Sequence, residues 1–215
     1  RFKRFGFLVS DSSQNVAMQM IEHVERGNHV VLEFGRYGDD LAAYILVSNL
    51  LSRRVHRRYV ELKEQSLGNA SGEPRPVMIV LEEAHKFLNP GISNQTIFGT
   101  IARELRKYNV TIMVIDQRPS AIDNEVMSQL GTRMTCLLDN ERDVESVLSG
   151  VSGSRQLRTV LSRMEPKQQA LIFGHAVPMP IVLKTRTYGT PEFYESLSSS
   201  ANSSEELQKE IDELF

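Results

Sequence analysis

Five apolar residues, Val77 to Leu81, run directly into two adjacent carboxylates, Glu82 and Glu83. A continuous apolar run of this length suits a strand covered on both faces, as in a parallel sheet. In open α/β sheets, ligands gather beyond the carboxyl ends of the strands, so the acid pair is expected at the mouth of a crevice. Neighbouring carboxylates repel each other unless a cation or a proton transfer makes use of them. Nucleotide hydrolysis is a chemistry that fits: one carboxylate holds hydrated Mg2+ and the other orients or deprotonates a water. The competing reading is a solvated acid pair opening a helix, where negative charge suits the N-terminal dipole.

A strand buried on both faces needs a sizeable core, and 215 residues with 40% hydrophobic and 24% charged side chains supply one. The net charge of -2 does not advertise a polyanionic partner, so any nucleic-acid surface has to be local. Cys136 is the sole cysteine, which excludes a disulfide framework and a cysteine-based zinc site. No apolar run approaches the roughly 20 residues of a membrane span, and the start does not read as a signal peptide; a cytoplasmic location and no membrane partner are expected. The sequence begins at Arg1 without a methionine and is expected to be a piece of a longer protein.

Along the chain, Asp11 or Ser12 is expected to cap a helix carrying Val16, Met20 and Val24, followed by a strand over His29 to Phe34. Asp39 and Asp40 open a long helix to about Leu62, with Leu41, Tyr44, Ile45, Ser48, Leu50 and Leu51 as its buried stripe. Its second half is basic, with Arg53, Arg54, His56, Arg57, Arg58 and Lys63, which suits either the helix dipole or phosphate contact. Lys63 to Pro76 reads as a loop. Beyond the acid pair, Ile97, Phe98, Ile101, Leu105 and Tyr108 recur at helical spacing, leaving Arg103, Arg106 and Lys107 off the apolar face. A second apolar strand, Val110 to Ile115, ends at Asp116-Gln117-Arg118. A short helix over Asp123 to Leu130, a strand over Thr132 to Leu138, and helices over Glu141 to Leu148 and Gln156 to Met164 follow. Gln169 to Phe173 and Ile181 to Thr187 are expected to pair antiparallel, because the link between them is too short for a crossover.

Strand and helix thus alternate, which argues for an α/β fold: a mostly parallel sheet flanked by helices, with an antiparallel C-terminal strand pair. Residues 1–190 form the core in this reading, and 191–215 a mobile acidic tail or docking helix.

At this point four stretches occur in order: Val80-Leu81-Glu82-Glu83-Ala84-His85, Ile101-Ala102-Arg103-Glu104-Leu105-Arg106-Lys107-Tyr108-Asn109-Val110, Gln117-Arg118-Pro119-Ser120 and Gln129-Leu130-Gly131-Thr132. Together they resemble the HerA/FtsK-type branch of hexameric RecA-like motor ATPases, and within it the HerA group; a looser likeness runs from about Val30 to Tyr188. The resemblance implies a ring-forming ATPase that binds ATP and Mg2+ and moves or unwinds double-stranded DNA, often with a partner nuclease or another effector enzyme. It places Glu82 at the Mg2+-side acidic position, through water, and Glu83 at the position that activates water. It further places Gln117 at the sensor position, and Arg106 at that of a finger reaching a neighbouring subunit, with Arg103 and Lys107 as close candidates. Lys107 and Arg118 are the expected nucleotide contacts.

Two departures stand out. The family often carries Asp where Glu82 stands. The chain also holds no G-x-x-x-x-G-K-[ST], so the loop that cradles the β- and γ-phosphates is absent from it. The resemblance therefore implies the C-terminal portion of a P-loop NTPase core, with the phosphate loop expected upstream and no activity expected from this portion alone. Two other readings stay open: a catalytically degenerate scaffold that assembles rings and recruits a partner enzyme, and a two-lobed helicase suggested by Glu82-Glu83-Ala84-His85. The latter lacks its second lobe here.

Overall fold

The computed structural model describes residues 16–37, 40–68, 72–93 and 96–197. Among the expectations above, the Asp11 or Ser12 cap, Asp39 and the tail beyond residue 197 lie outside them. The chain divides into two compact units, Arg1–Leu130 with Glu141–Gly150, and Gly131–Asn140 with Val151–Phe215.

The first unit is built on α1 (Val16–Glu25), α2 (Leu41–Gly68), β1 (Val77–Glu82), α3 (His85–Leu88), α4 (Ile97–Glu104), β2 (Val110–Ile115), α5 (Asn124–Gln129) and α6 (Glu141–Leu148). Asp40 opens α2 by accepting the backbone N–H groups of Ala42 and Ala43 through Oδ1. The helix then runs past Leu62 to Gly68, because Lys63-Glu64-Gln65 are strong helix formers rather than loop residues. Its buried side is carried by Ala43, Ser48, Ser52, Val55 and Tyr59, whereas Leu41 and Leu50 are exposed. Small residues at Ala43, Ser48 and Ser52 leave room for a neighbouring helix, and α4 packs on α2 with the Ile97 N–H donated to Asn49 Oδ1 at 2.8 Å.

The basic half of α2 is therefore internal to the helix, not its last turn. Three of its cations have acidic neighbours: Arg58 with Glu25 on α1 at 2.6 Å, Arg57 with Glu61, and Lys63 with Glu73. The expected strand over His29 to Phe34 is absent; those residues are irregular, and Val31 is 90% exposed.

Strands β1 and β2 are parallel and in step, from Val77 opposite Val110 to Glu82 opposite Ile115. Burial alternates along both, so one face is inside and Met78, Val80, Met113 and Ile115 remain exposed on the other. The apolar run predicts cover on both faces; within the described residues only one face has it.

The second unit contains β3 (Thr132–Thr135), α7 (Ser154–Leu161), β4 (Gln169–Gly174) and β5 (Ile181–Lys184). All three strands are antiparallel in the order β3-β4-β5, so the expected closing pair gains Thr132–Thr135 as a third member. Leu157, Leu161, Met164, Ala170, Leu171 and Phe173 are its buried apolar residues among those described. Where β4 ends against the start of β3, Gly174 has φ +105 and an added Cβ would lie 2.2 Å from the carbonyl oxygen of Gly131. Gly174→Ala is therefore expected to destabilise this unit by about 2–3 kcal/mol, read as a lowered unfolding midpoint in calorimetry. An unchanged midpoint would mean that the turn rearranges freely.

Candidate functional site

Parallel pairing in register puts the residues just past β1 and just past β2 on one edge of the sheet. Glu82 is the last residue of β1 and is exposed. Glu83 follows in the left-handed region at φ 51, an unfavourable conformation for glutamate, and its side chain is 46% exposed. The turn then closes into α3, with the Lys86 N–H donated to Glu83 O and those of Phe87 and Leu88 to Ala84 O.

Directly across lies Asp116, whose side chain is only 3% exposed. Its Oδ2 accepts the His85 backbone N–H at 2.7 Å and the His85 imidazole Nδ1 at 2.8 Å. Its Oδ1 accepts the Arg118 N–H at 2.7 Å, an Asx turn that carries Gln117 outward. Burial alone pushes the Asp116 carboxyl up; the His85 and Arg118 backbone N–H groups and the imidazole outweigh it and hold the carboxyl below its ordinary value. A lowered folded pKa contributes stability that is present above the unfolded carboxyl value, about 3.9, and is lost as pH falls through the folded one. Thermal midpoints are thus expected to fall on acidification below about pH 4, with a shallower fall in Asp116→Asn. Parallel acid curves for the two proteins would contradict this.

Gln117 and Arg118 are exposed. The loop that bears them is pinned from α6, where Asp143 accepts the Ser120 N–H and Ser146 donates to Pro119 O, both at 2.9 Å. Beneath the acid pair, Phe34, Tyr44, Phe87 and Phe98 form a chain of ring contacts with centroids 4.2–5.1 Å apart. Burial raises the Tyr44 hydroxyl above 10.0, and the charges of Glu82 and Glu83 raise it further, so the negative field of the pair reaches into this cluster.

Glu82, Glu83 and Gln117 are brought to the one edge, with Arg118 beside them. Arg103, Arg106 and Lys107 are not. They precede β2, which is six residues or roughly 17 Å of strand long, so their backbone lies toward the opposite edge from the acids. The side chains of Arg103 and Arg106 lie outside what the structure describes, and Lys107 extends over the Tyr108 ring at 4.9 Å. His85 is clasped by Asp116 and turns Nε2 to within 3.8 Å of Glu83. Asp116 and Tyr44 are the residues that sequence reasoning missed. For Asp116 the only signal was a carboxylate at a strand end, two residues before an available N–H.

Among the described residues no three of His, Cys, Asp and Glu converge as a metal cage. Mg2+ rarely uses such a cage; it takes one or two carboxylates, water and substrate phosphates. An exposed Glu82 beside a second carboxylate, in a negative field felt by Tyr44, is a donor set that fits it. No helix of the described residues is long and apolar enough to cross a membrane.

No family model matches the chain. Curated relatives do. It is 28% identical over 187 residues to the DNA double-strand break repair helicase HerA of Saccharolobus solfataricus, covering 86% of this chain and 36% of that protein. It is 30% identical over 136 residues to the protein of the same name from Pyrococcus furiosus, covering 62% of this chain and 24% of the relative. The chain therefore spans between a quarter and just over a third of the length of these curated relatives. Among solved structures, the genome packaging NTPase B204 of Sulfolobus turreted icosahedral virus 2, in complex with AMP, superposes with a TM-score of 0.51 at 11% identity. That likeness covers 87% of this chain and 77% of the other, and it shows a shared fold.

Proposed function

From a chain related in sequence to the HerA/FtsK-type ATPases, we propose that the intact protein is an ATP-driven double-stranded DNA translocase or helicase, working as a hexameric ring with a partner nuclease or other effector. The observation that carries the reading is the meeting of Glu82-Glu83 and Gln117 at the carboxyl edge of one parallel strand pair.

In this mechanism Glu83 accepts the proton of the attacking water, which its half-exposed carboxylate can reach. Glu82 is the residue that would hold Mg2+, and the ion would supply positive charge to offset that of the substrate phosphates. Gln117 reads the γ-phosphate by accepting from water and donating to a phosphate oxygen, and Arg118 adds a cation beside it. Arg106, with Arg103 and Lys107, serves the site of the next subunit. The distance along β2 supports a role away from this chain's own acids, because a residue at the amino edge of the sheet is poorly placed to reach them. The upstream part of the intact protein supplies the phosphate cradle, so the chain by itself does not turn over ATP.

The test is the Mg2+-dependent ATPase rate of the intact protein with and without double-stranded DNA. Hydrolysis stimulated by the duplex is the expected result. Ring assembly and nucleotide binding without hydrolysis would instead select the scaffold reading.

A further inference from the structure

Asp116 stands just past β2, across from the Glu83 turn, and both of its carboxylate oxygens accept hydrogen bonds. Oδ2 takes two donors from His85, one backbone and one imidazole, and Oδ1 takes the Arg118 N–H. The first pair anchors the turn that presents Glu83; the third shapes the turn that presents Gln117. An ionised carboxylate accepts only, so the proton in the 2.8 Å contact belongs to His85 Nδ1. Nε2 of the same ring is then left facing Glu83 Oε2 at 3.8 Å. We infer that Asp116 is a positioning residue that clasps the Glu83 turn to the Gln117 loop, with His85 as the intermediary held in a single ring orientation.

The inference rests on the hydrolytic reading of Glu83 and Gln117 and adds to it the element that keeps them in register. Backbone pairing cannot do so alone. The β1–β2 ladder ends at Glu82 and Ile115, and past it the described contact between the two backbones is the Ala84 N–H to Ile115 O at 3.3 Å. Glu83 also sits in a backbone conformation that its own residue type disfavours. Without the clasp the acid and the amide would each relax independently. Burial of Asp116 excludes water from the contacts, so a replacement that cannot accept both His85 donors has no solvent substitute.

The test uses the intact protein and four substitutions. Asp116→Asn leaves one acceptor oxygen and one NH2 group, so it cannot accept from His85 and from Arg118 together, and one arm of the clasp then meets a donor. It is expected to lower kcat roughly ten- to a hundredfold, the loss typical of removing a residue that orients a functional group, with the KM for ATP held within about twofold. His85→Asn keeps an N–H where Nδ1 stands, whereas His85→Gln places its amide at the far position; the asparagine variant is expected to retain the higher kcat. Glu83→Gln is the reference. A wild-type kcat in Asp116→Asn beside an inactive Glu83→Gln overturns the clasp and leaves the hydrolytic reading intact. Equal rates in His85→Asn and His85→Gln also overturn it, even if Asp116→Asn folds poorly. A wild-type rate in Glu83→Gln sinks the hydrolytic reading, and the clasp with it.

Discussion

Glu83→Gln in the intact protein is expected to leave ATP bound and to stop its turnover. Glutamine is the same length as glutamate and keeps an oxygen that can orient water, but it cannot take a proton at neutral pH. General-base catalysis contributes on the order of 100- to 10,000-fold, and the rate should fall within that range. Nucleotide affinity should be kept or improved, because a negative charge near the phosphates is removed. Steady-state hydrolysis and equilibrium nucleotide binding, measured on the same preparation, separate the two effects. Glu82→Gln is expected to differ: it should raise the Mg2+ concentration needed for half-maximal hydrolysis as well as lower the rate. Turnover unaffected by the Glu83 change would refute the role of that residue as the base, whatever the fate of Glu82.

The second large effect is on stability. Phe87 is 1% exposed, lies on the first turn after the acid pair, and touches Tyr44 and Phe98 with ring centroids at 4.9 and 5.1 Å. Phe87→Ala removes the ring that joins α3 to α2 and α4, leaving a cavity between helices that cannot collapse far. The expected loss is about 3–5 kcal/mol, read from denaturant unfolding of the chain. The site should suffer with the core, since α3 is only four residues long and has no other apolar anchor besides Leu88. A variant destabilised by less than about 1 kcal/mol would mean that the ring chain is loosely packed and does not support the turn.

The strand ends are legible in the sequence because each closes an apolar run with a polar residue, a signal carried by immediate neighbours. Glu82, Glu83 and Gln117 can therefore be assigned to one edge from the sequence alone. α4, α5 and α6 are likewise local matters of periodicity and capping; the Asp123 carboxylate accepting from Glu125 and Val126 is such a cap. Residues 29–34 mislead for the complementary reason. Val30 and Val31 have the β-branched character of a strand, but a strand needs a partner, and propensity does not name one. On the first half of α2 the buried side follows Ala43, Ser48 and Ser52 instead of the larger Leu41 and Leu50, because close helix packing favours small side chains. Asp116 is hidden for a similar reason: two of its three donors come from a residue 31 positions away. The finger candidates stand between these cases. Their order in the sequence is visible, but their distance from the acids follows only once β1 and β2 are known to pair in parallel.

Glycine or asparagine would adopt the backbone of Glu83 more readily than glutamate does, and a left-handed L-residue carries a penalty of about 1–2 kcal/mol. The acid is thus held wound, in a posture that its surroundings impose and its own torsion angles resist. Whatever loosens those surroundings releases a turn that the strand ladder, ending at Glu82, does not itself restrain.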